Sequence, residues 1–477
     1  MTDRYEIIIG MEIHAELATQ TKMFCACSNS PFESAANTNV CPLCLGLPGT
    51  LPVMNKQAVE WTVDLGADVG ATIAEFTKWD RKNYMYPDLP KGYQISQYDL
   101  PLLSGGAIEF KRADGELVRI NLTRIHLEED TGKLLHSGSE SLVDYNRSGV
   151  PLLELVTEPE LHSAEDAKRF CQTYQTMLQR RGIARADMEK GELRCEANIS
   201  VRKVGQTDFG TKVEVKNLNS FRSVERAIEY EVKRQIAALE SGETITQETR
   251  GWDDGLQQTY VMRRKETAAD YRYFPEPDLP PVTPAALWDL AAKERAAESY
   301  PHEVAGELMH EYGLTAATAE LFANDATALA IWAELREELP EHSVGERAVL
   351  NQAATMYANV DVARALNVPQ LASLARLVID GTISKSQIRE VAEGVLKESV
   401  EPKEYVARHD LGQTSDTGAL EVILDEVLVA HADVVAKYRA GKVEVFGFLI
   451  GQAMRAAHGK ANPALINHLL KQKLEGK

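Results

Sequence analysis

Apolar and polar residues alternate with a period of two in several segments of the first 280 or so residues, as expected for half-buried β-strands. The segment 194–202 places apolar residues on one strand face and polar residues on the other, and the segment 212–216 repeats this alternation. A helix is predicted over 163–181, because Ser163 and Asp166 form an S-x-x-D cap in front of apolar residues at helical spacing. The first part of the chain is therefore predicted to mix strands and helices.

Two interruptions divide the chain. The segment 274–284 holds five prolines, a density that neither a helix nor an interior strand tolerates, and a second break at 398–404 contains another. Beyond the first break the apolar residues recur at helical spacing. We predict an α+β fold, in which a large mixed α+β domain (1–293) precedes an all-helical domain (294–405) and a small helical tail domain (406–477).

The charge is unevenly distributed over these parts. The 477 residues carry a net charge of −19, which argues against a surface that binds nucleic acid everywhere. The block 296–405 has 8 Lys/Arg against 18 Asp/Glu, whereas the segment 437–477 has 8 Lys/Arg against 2 Asp/Glu. By charge alone, this basic tail suits phosphate contacts or a solvated helical surface equally well. Its candidate contact residues are Lys442, Arg455, Lys460, Lys471 and Lys473.

Hydropathy and the chain start bear on location. The longest apolar runs, such as 445–450, fall far short of the 18 or so residues that a membrane span needs. The first residues lack a basic segment followed by an apolar one, so we expect no secretory signal, no membrane contact and a cytoplasmic protein.

Four of the six cysteines form two short pairs, a C-x-C pair and a C-x-x-C pair. Four thiolates in two clips are the ligand set of a structural, tetrahedral zinc site, although the first pair has one intervening residue where two to four is usual. The alternative is free thiols or an occasional disulfide. The predicted ligands are Cys25, Cys27, Cys41 and Cys44.

Carboxylates recur on predicted strand faces. Glu12 and His14 are two residues apart after an apolar run and therefore project to the same side of a strand. Further acidic or imidazole side chains interrupt otherwise apolar or alternating segments at His126, Glu128, Glu129, Asp130, Glu154, Glu196 and Glu214. Gathered carboxylates repel one another unless cations intervene, and Mg²⁺ prefers such oxygen ligands. The alternative is pairing with nearby bases such as Lys133, Arg194 or Lys216, or simple solvation.

The segments 80–87 and 91–94 interleave cations, amides and aromatic residues without periodicity. Such a loop suits phosphate binding or base stacking, although a packed surface loop is an equal alternative by composition. The G-x-G and H-E-x-x-H motifs are absent from the sequence, so the usual dinucleotide and zinc-protease signatures do not apply.

Long strings along nearly the whole chain resemble the GatB family, the B subunits of bacterial aspartyl/glutamyl-tRNA amidotransferases. They are GMEIHAEL (10–17), CPLCLGLPGTLPVMN (41–55), DRKNYMYPDLPKGYQISQ (80–97), RIHLEEDTGKLLH (124–136), DYNRSGVPLLELVTEPE (144–160), RCEANISVR (194–202), VEVKNLNSF (213–221), DYRYFPEPDLPPV (270–282) and HGKANPALINHLL (458–470).

The resemblance implies an ATP-dependent enzyme that amidates Glu on mischarged tRNA(Gln), Asp on mischarged tRNA(Asn), or both, through an acyl phosphate. It implies two partner subunits, a glutaminase A subunit that supplies ammonia and a small C subunit, and a tail domain that contacts tRNA. The family's catalytic Mg²⁺ centre maps onto Glu12, His14, Glu128, Glu129 and Glu214, and its zinc cysteines onto the four named above.

For ATP binding we expect contacts from Lys82, Lys91, Tyr93, Glu196 and Asn198. Glu196 departs from the family pattern, in which Asp is common, so its contact is left open. A competing class is a binding module that presents aminoacyl-tRNA to a catalytic partner; a third, a kinase-like ATPase acting on a small metabolite, is disfavoured by the full-length match. The carboxylate cluster argues against a passive tRNA-binding surface, since like charge beside a polyanion weakens binding.

Overall fold

The computed structural model describes residues 4–138, 140–264, 268–339, 344–412, 417–457 and 463–475. The chain forms two compact units, Met1–Val304 and Ala305–Lys477. The first contains the sheets, and the regular elements of the second are all helices in the residues that the structure describes. The expected α+β class is confirmed. The expected three-domain division at 293 and 405 stays a prediction.

The strands of the first unit vary from two to thirteen residues. They are β1 (Tyr5–Glu16), β2 (Thr72–Ile73), β3 (Asp80–Asn83), β4 (Tyr93–Ser96), β5 (Leu103–Ser104), β6 (Ala107–Lys111), β7 (Leu117–Glu129), β8 (Lys133–Ser137), β9 (Glu140–Asp144), β10 (Pro151–Thr157), β11 (Leu193–Lys203), β12 (Val213–Leu218), β13 (Glu248–Asp253), β14 (Gln258–Arg264) and β15 (Phe274–Pro275).

Ten strands build the main sheet, in the order β14-β13-β12-β11-β1-β10-β7-β5-β2, with β6 paired to β7. Its central pairings are antiparallel, and β12 and β13 run parallel. Strands far apart in sequence are neighbours here, since β1 lies between β10 and β11. The alternation predicted for 194–202 is confirmed: Cys195, Ala197, Ile199 and Val201 are buried, whereas Glu196 and Asn198 are only half-buried.

The helices of the first unit are α1 (Lys56–Asp68), α2 (Ala164–Arg180), α3 (Phe221–Ser241), α4 (Pro284–Leu287) and α5 (Leu290–Arg295). The predicted cap of α2 is present, because the Ser163 side chain accepts a hydrogen bond from the Asp166 N–H. Both α2 and α3 contact the main sheet, and buried residues of α2, including Phe170, Cys171 and Tyr174, belong to its apolar core. One sheet face is thus closed by helices, and polar residues of the central strands lie on the other.

A small sheet in the order β15-β3-β4 uses the proline-rich segment as an edge strand. Arg81 of β3 donates to Glu276 in a two-bond ion pair, with N–O distances of 2.7 and 2.8 Å. Val282 pairs with Thr77 through two backbone hydrogen bonds. The segment therefore packs within the first unit, with its first proline on an edge, where the missing N–H is tolerated. Strands β8 and β9 form a separate two-stranded ribbon.

Helix α6 (Pro301–Tyr312) runs across the division between the units, and the rest of the second unit has ten further α-helices in the part that is described. They are α7 (Ala316–Asn324), α8 (Ala326–Glu338), α9 (Val344–Asn359), α10 (Val368–Ile379), α11 (Ile388–Glu398), α12 (Pro402–Arg408), α13 (Thr417–Ala430), α14 (Ala432–Arg439), α15 (Phe446–Ala456) and α16 (Pro463–Glu475).

The last four helices share an apolar core of their own. Leu420 and Leu424 of α13 belong to it together with Leu449 of α15 and Leu470 of α16. Of the described helices, none has the length and apolarity needed to cross a membrane. The tail is thus a small helical bundle with an internal core.

Candidate functional site

The polar faces of five neighbouring strands, β12, β11, β1, β10 and β7, meet on the side of the main sheet that the helices leave open. The strand register sets which side chains are opposite: Glu12 is opposite Glu196, and His14 is opposite Glu154. Glu154 in turn is opposite His126. Because residues opposite each other lie about 5 Å apart, these side chains form a continuous polar row across the sheet.

Three carboxylates crowd at one end of this row. Oxygen atoms of Glu12, Glu196 and Glu214 lie within 4.8 Å of one another. Burial, together with the charges of Glu154 and Glu196, raises the pKa of Glu12 to about 7. Lys216 offsets part of this repulsion, with its Nζ 2.5 Å from Glu196 Oε2 and 3.9 Å from Glu214 Oε1. Lys216 and His14, whose Nε2 lies 3.8 Å from Glu12 Oε1, thus face the three carboxylates, and a divalent cation would balance the negative charge that is left.

Two histidines flank a single carboxylate next to that cluster. Glu154 Oε2 lies 3.4 Å from His14 Nε2 and 3.3 Å from His126 Nε2. Burial lowers the pKa of His14, but the hydrogen bond to Glu154 and the surrounding carboxylates outweigh it and raise that pKa to about 9. The same two histidines hold the pKa of the buried Glu154 well below its usual value, although burial alone would raise it. The charges of His14, His126 and Glu154 therefore stabilise one another.

Glu128 lies on the floor of a cavity of about 260 Å³ beside the row. Its side chain is buried, and its Oε2 atom has no hydrogen-bond partner among the described residues. Lys82 enters the cavity from β3; burial lowers its pKa, but the charge of Glu128 and its neighbours raises it well above the usual value. The other lining residues are Glu12, His14, Tyr84, Gln94, Asp130, Thr131, Leu152, Arg194, Glu196, Lys216 and Tyr271.

Glu129 points the other way, because successive residues of β7 alternate between sheet faces. Its carboxylate accepts hydrogen bonds from Lys91 and from the Ile95 N–H, and it is not among the side chains that line the cavity. Glu129 and Lys91 therefore lie away from the carboxylate cluster, where they bind each other.

The other two residues expected to contact ATP also lie outside the cavity lining. The Tyr93 ring lies beneath the Arg81 guanidinium, with 4.3 Å between the Arg81 Cζ atom and the ring centre. Asn198, opposite Glu214 in the register, has a buried Oδ1 atom that lacks a partner in the described parts of the chain. Of the five residues, Lys82 and Glu196 line the cavity.

Thr249 fixes the position of Glu214. It lies opposite Glu214 on the parallel strand β13, and its buried hydroxyl donates to Glu214 Oε2 at 2.7 Å. A hydrogen bond to a charged carboxylate is among the stronger side-chain interactions. This parallel pair therefore orients one carboxylate toward Glu12 and Glu196.

The four cysteines of the two pairs converge. Cys44 Sγ lies 3.7 Å from Cys25 Sγ, 3.7 Å from Cys41 Sγ and 3.9 Å from Cys27 Sγ. Tetrahedral zinc with bonds of about 2.3 Å would place sulfur atoms roughly 3.8 Å apart. A hydrogen bond from Cys25 and, to a smaller extent, the charge of Lys22 lower the pKa of Cys44 to about 4. The cluster can hold a metal ion such as zinc.

Local turns bring the two cysteine pairs together. The first pair lies in a tight hairpin that is closed by a hydrogen bond from the Lys22 N–H to the Cys27 carbonyl. The second pair is held by turns that end at Gly46, whose φ of +64° and close approach to the Lys91 backbone require glycine. The remaining cysteines, Cys171 and Cys195, are buried in the apolar core, as expected.

Several residues in or beside the cavity are absent from the ligand set that the sequence predicts. Glu154 and His126 stood out as polar residues in apolar or alternating segments, which was the available signal. The sequence suggests Lys216 only as an ion-pair partner. It includes Tyr271 only within the family string 270–282, and no motif or spacing identifies Thr249 as part of the site. The strand order that places them together is not visible in one sequence.

Known proteins resemble this chain over nearly its whole length. The family description "GatB/GatE catalytic domain" matches residues 7–288, and "GatB domain" matches residues 350–474. The B subunit of the aspartyl/glutamyl-tRNA(Asn/Gln) amidotransferase of Picosynechococcus sp. is 45% identical over 494 residues, which cover 99% of this chain and 98% of that protein.

Two further relatives with the same name are about equally similar. The Moorella thermoacetica protein is 45% identical over 477 residues, covering 98% of this chain and 100% of the relative. The Thermoanaerobacter pseudethanolicus protein is 44% identical over 479 residues, covering 99% of each. The chain therefore belongs to the GatB family, the B subunits of the aspartyl/glutamyl-tRNA(Asn/Gln) amidotransferases.

Proposed function

We propose that this chain catalyses the ATP-dependent amidation of Glu-tRNA(Gln), Asp-tRNA(Asn) or both, using ammonia from a glutaminase partner subunit. Its family membership supports the reaction class. The observation that carries the assignment to this chain is the cluster of the half-buried Glu12 and Glu196 with the buried Glu214, beside a cavity that Lys82 and Lys216 also line. Anionic and cationic groups in one enclosed site suit phosphoryl transfer.

The reaction needs activation because a side-chain carboxylate is a poor electrophile with a poor leaving group. The carboxylate of the aminoacyl group attacks the γ-phosphorus of ATP, ADP leaves, and an acyl phosphate forms. Ammonia then attacks the acyl carbon, phosphate leaves, and a proton is lost to give the amide. Since the acyl phosphate hydrolyses readily, an enclosed site and a direct ammonia supply both raise the yield.

Glu12, Glu196 and Glu214, whose oxygen atoms lie within 4.8 Å of one another, would hold Mg²⁺, with His14 completing or orienting the set; Glu128, which groups with His126 and Glu154 and lines the same cavity, would add a further carboxylate. The crowded oxygens, the Glu128 Oε2 atom that lacks a hydrogen-bond partner among the described residues, and the raised pKa of Glu12 all fit a hard divalent cation. Bound there, Mg²⁺ would neutralise charge on the phosphoryl oxygens. We leave Glu129 out of this set, because its carboxylate is held by Lys91 on the opposite face.

Lys82, Lys216 and Arg194 would contact the phosphoryl and carboxylate oxygens of the reacting groups. All three line the cavity, and its volume of about 260 Å³ suits the reacting groups better than a whole nucleotide. Asp130 orients Arg194 through an ion pair of 2.9 Å. The expected contacts of Lys91, Tyr93 and Asn198 with ATP stay predictions.

The cysteine cluster would hold a structural zinc ion through Cys25, Cys27, Cys41 and Cys44, since the sulfur spacing fits a tetrahedral site with no open position. In the assembly we expect a glutaminase A subunit, a small C subunit and the mischarged tRNA as partners. The tail bundle would contact tRNA phosphates, and a cytoplasmic location remains our expectation.

The test is reconstitution of this chain with its A and C partners, followed by measurement of amide formation on both mischarged tRNAs with and without ATP. The proposal expects ATP-dependent product on at least one of them. If the chain served only to present tRNA, ATP-dependent phosphorylation of the aminoacyl carboxylate would persist when this chain is replaced by a variant with the carboxylate cluster neutralised.

A further inference from the structure

A buried lysine lies against the cysteine cluster. Lys22 is 0% exposed and is among the largest fully buried side chains in the protein. Its backbone N–H closes the hairpin that carries Cys25 and Cys27. An added Cβ at Gly149 would lie 3.6 Å from Lys22 Cδ, so the aliphatic stem passes directly over that glycine. The ammonium group is thereby enclosed in protein.

The polar contacts of this ammonium group lack a carboxylate. Lys22 Nζ donates to the Asn39 carbonyl at 3.0 Å, to the Tyr145 carbonyl at 3.4 Å and to Cys44 Sγ at 3.5 Å. Within the described ranges of the chain, no Asp or Glu forms an ion pair with it. The sulfur atom is thus the one partner that can carry a negative charge.

A buried ammonium without a counter-charge is strongly unfavourable. Two carbonyl dipoles offset part of that cost, and a thiolate at Cys44, whose Sγ lies 3.5 Å from Lys22 Nζ, offsets a further part. Four thiolates around a divalent metal ion carry a net negative charge, because their charges outweigh that of the ion. The negative charge beside Lys22 is therefore largest when the cysteines are metal-bound.

We propose that Lys22 is a positioning residue of the cysteine metal site: it donates to the Cys44 thiolate and balances the charge of the metal-bound cluster. This inference rests on the proposed zinc occupancy. The same ammonium group also donates to the Asn39 and Tyr145 carbonyls and so links these residues to the cysteine cluster. Binding of a soft divalent ion and burial of Lys22 are thus expected to stabilise each other.

The test uses the purified full-length chain and the Lys22→Met variant, which keeps an apolar stem of similar length without the charge. Zinc release to a colorimetric chelator should be at least about tenfold faster in the variant, in the range found for groups that orient metal ligands. The variant should lose more melting temperature in the presence of zinc than in its absence, because the metal-bound cluster carries the larger negative charge for Lys22 to balance. Lys233→Met, at a lysine whose side chain is 78% exposed, should change neither quantity.

Zinc release at the wild-type rate, with equal losses of melting temperature in the presence and absence of zinc, would show that Lys22 contributes packing alone and would overturn the inference. If Lys22→Met does not fold, Lys22→Gln keeps a donor for the carbonyl groups and should give the same faster release. An unsubstituted chain that binds no added zinc would instead refute the zinc proposal itself, and the two failures are therefore distinguishable.

Discussion

Glu12 and Glu196 face each other directly across neighbouring strands, an arrangement that destabilises a sheet when both carboxylates are ionised. Glu214 adds a third carboxylate within 4.8 Å, and Thr249 holds it there by a hydrogen bond. Such crowding of carboxylates lowers stability, so selection for stability alone would not favour it. Residues that carry strain of this kind are commonly part of a functional site.

The pKa of Glu12 leads to a prediction about stability. Because that pKa is raised from 4.5 to about 7, the folded protein keeps a proton that the unfolded chain has lost between these values, and stability falls as the pH rises through this window. Glu12→Gln removes the effect. In buffer free of Mg²⁺, chemical denaturation should show the variant gaining about 2 kcal/mol relative to the unsubstituted chain between pH 5 and pH 8.

Added Mg²⁺ should reduce this difference, because the ion replaces the proton in balancing the carboxylates. Glu116→Gln, at a side chain that is 60% exposed, is the matched control and should show no comparable pH dependence. A Glu12→Gln difference that stays constant from pH 5 to pH 8 would contradict the proposed crowding.

The sequence alone predicts part of the arrangement of the site residues. The spacing of Glu12 and His14 predicts that they share a strand face, and the structure confirms it. Glu128 and Glu129 are adjacent in the chain, yet the family resemblance grouped them in one site. Strand alternation applied to β7 would have separated them and placed Glu129 on the opposite face, where it binds Lys91.

At the scale of elements, the order of the strands creates the site. β1, β10 and β11 are adjacent although more than a hundred residues separate β1 from the other two. Alternation along β11 was readable from the sequence, since each strand carries its own pattern. The pairing of β1 with β10 and β11 could not be predicted, because a single sequence does not indicate which strands pair.

The turns that carry the four cysteines form a second local structure, and we expect bound zinc to stabilise their fold. Cys41→Ser should lower the zinc content from about one ion per chain and reduce thermal stability, because structural zinc contributes folding free energy directly. Metal analysis together with a thermal melt checks both expectations.

Cys171→Ala is the matched control for that experiment. Its thiol is buried in the apolar core away from the four clustered sulfur atoms, so the substitution should cost stability while leaving the zinc content unchanged. Equal zinc content in the Cys41 and Cys171 variants, or no zinc in a chain prepared without chelator, would count against an occupied site.

At the scale of the whole molecule, acidic and basic regions are separated along the chain. Of the tail residues expected to contact tRNA, Lys442, Arg455 and Lys471 are exposed. Lys473 is half-buried and pairs with Asp425 at 2.6 Å. Lys460 lies outside the described residues. The three exposed cations are therefore the better candidates for phosphate contacts.

Removing residues 417–477 should raise the KM for mischarged tRNA and weaken its salt dependence, because phosphate contacts supply affinity that falls with salt. Glutamine hydrolysis by the partner subunit should persist. The bundle has its own core, so a cut before α13 leaves no apolar face of that core behind.

Charge reversal tests the same prediction without removing the bundle. Replacing Lys442, Arg455 and Lys471 by Glu should raise the KM at least as strongly as truncation, since reversed charges repel phosphate. If both variants keep the unsubstituted KM across a salt series, the basic tail does not bind tRNA.

If this chain itself activates the aminoacyl carboxylate in the cavity beside the carboxylate cluster, Glu128→Gln should stop that step. The substitution keeps the shape of a buried side chain whose Oε2 has no hydrogen-bond partner among the described residues and lies 3.9 Å from His126 Nε2, and it removes one charge from the proposed metal site. In the complex with both partner subunits, we expect ATP-dependent amidation to fall at least about a hundredfold while glutaminase activity remains measurable. Glu214→Gln should behave alike. Amidation at the unsubstituted rate by a folded Glu128→Gln enzyme would contradict the account.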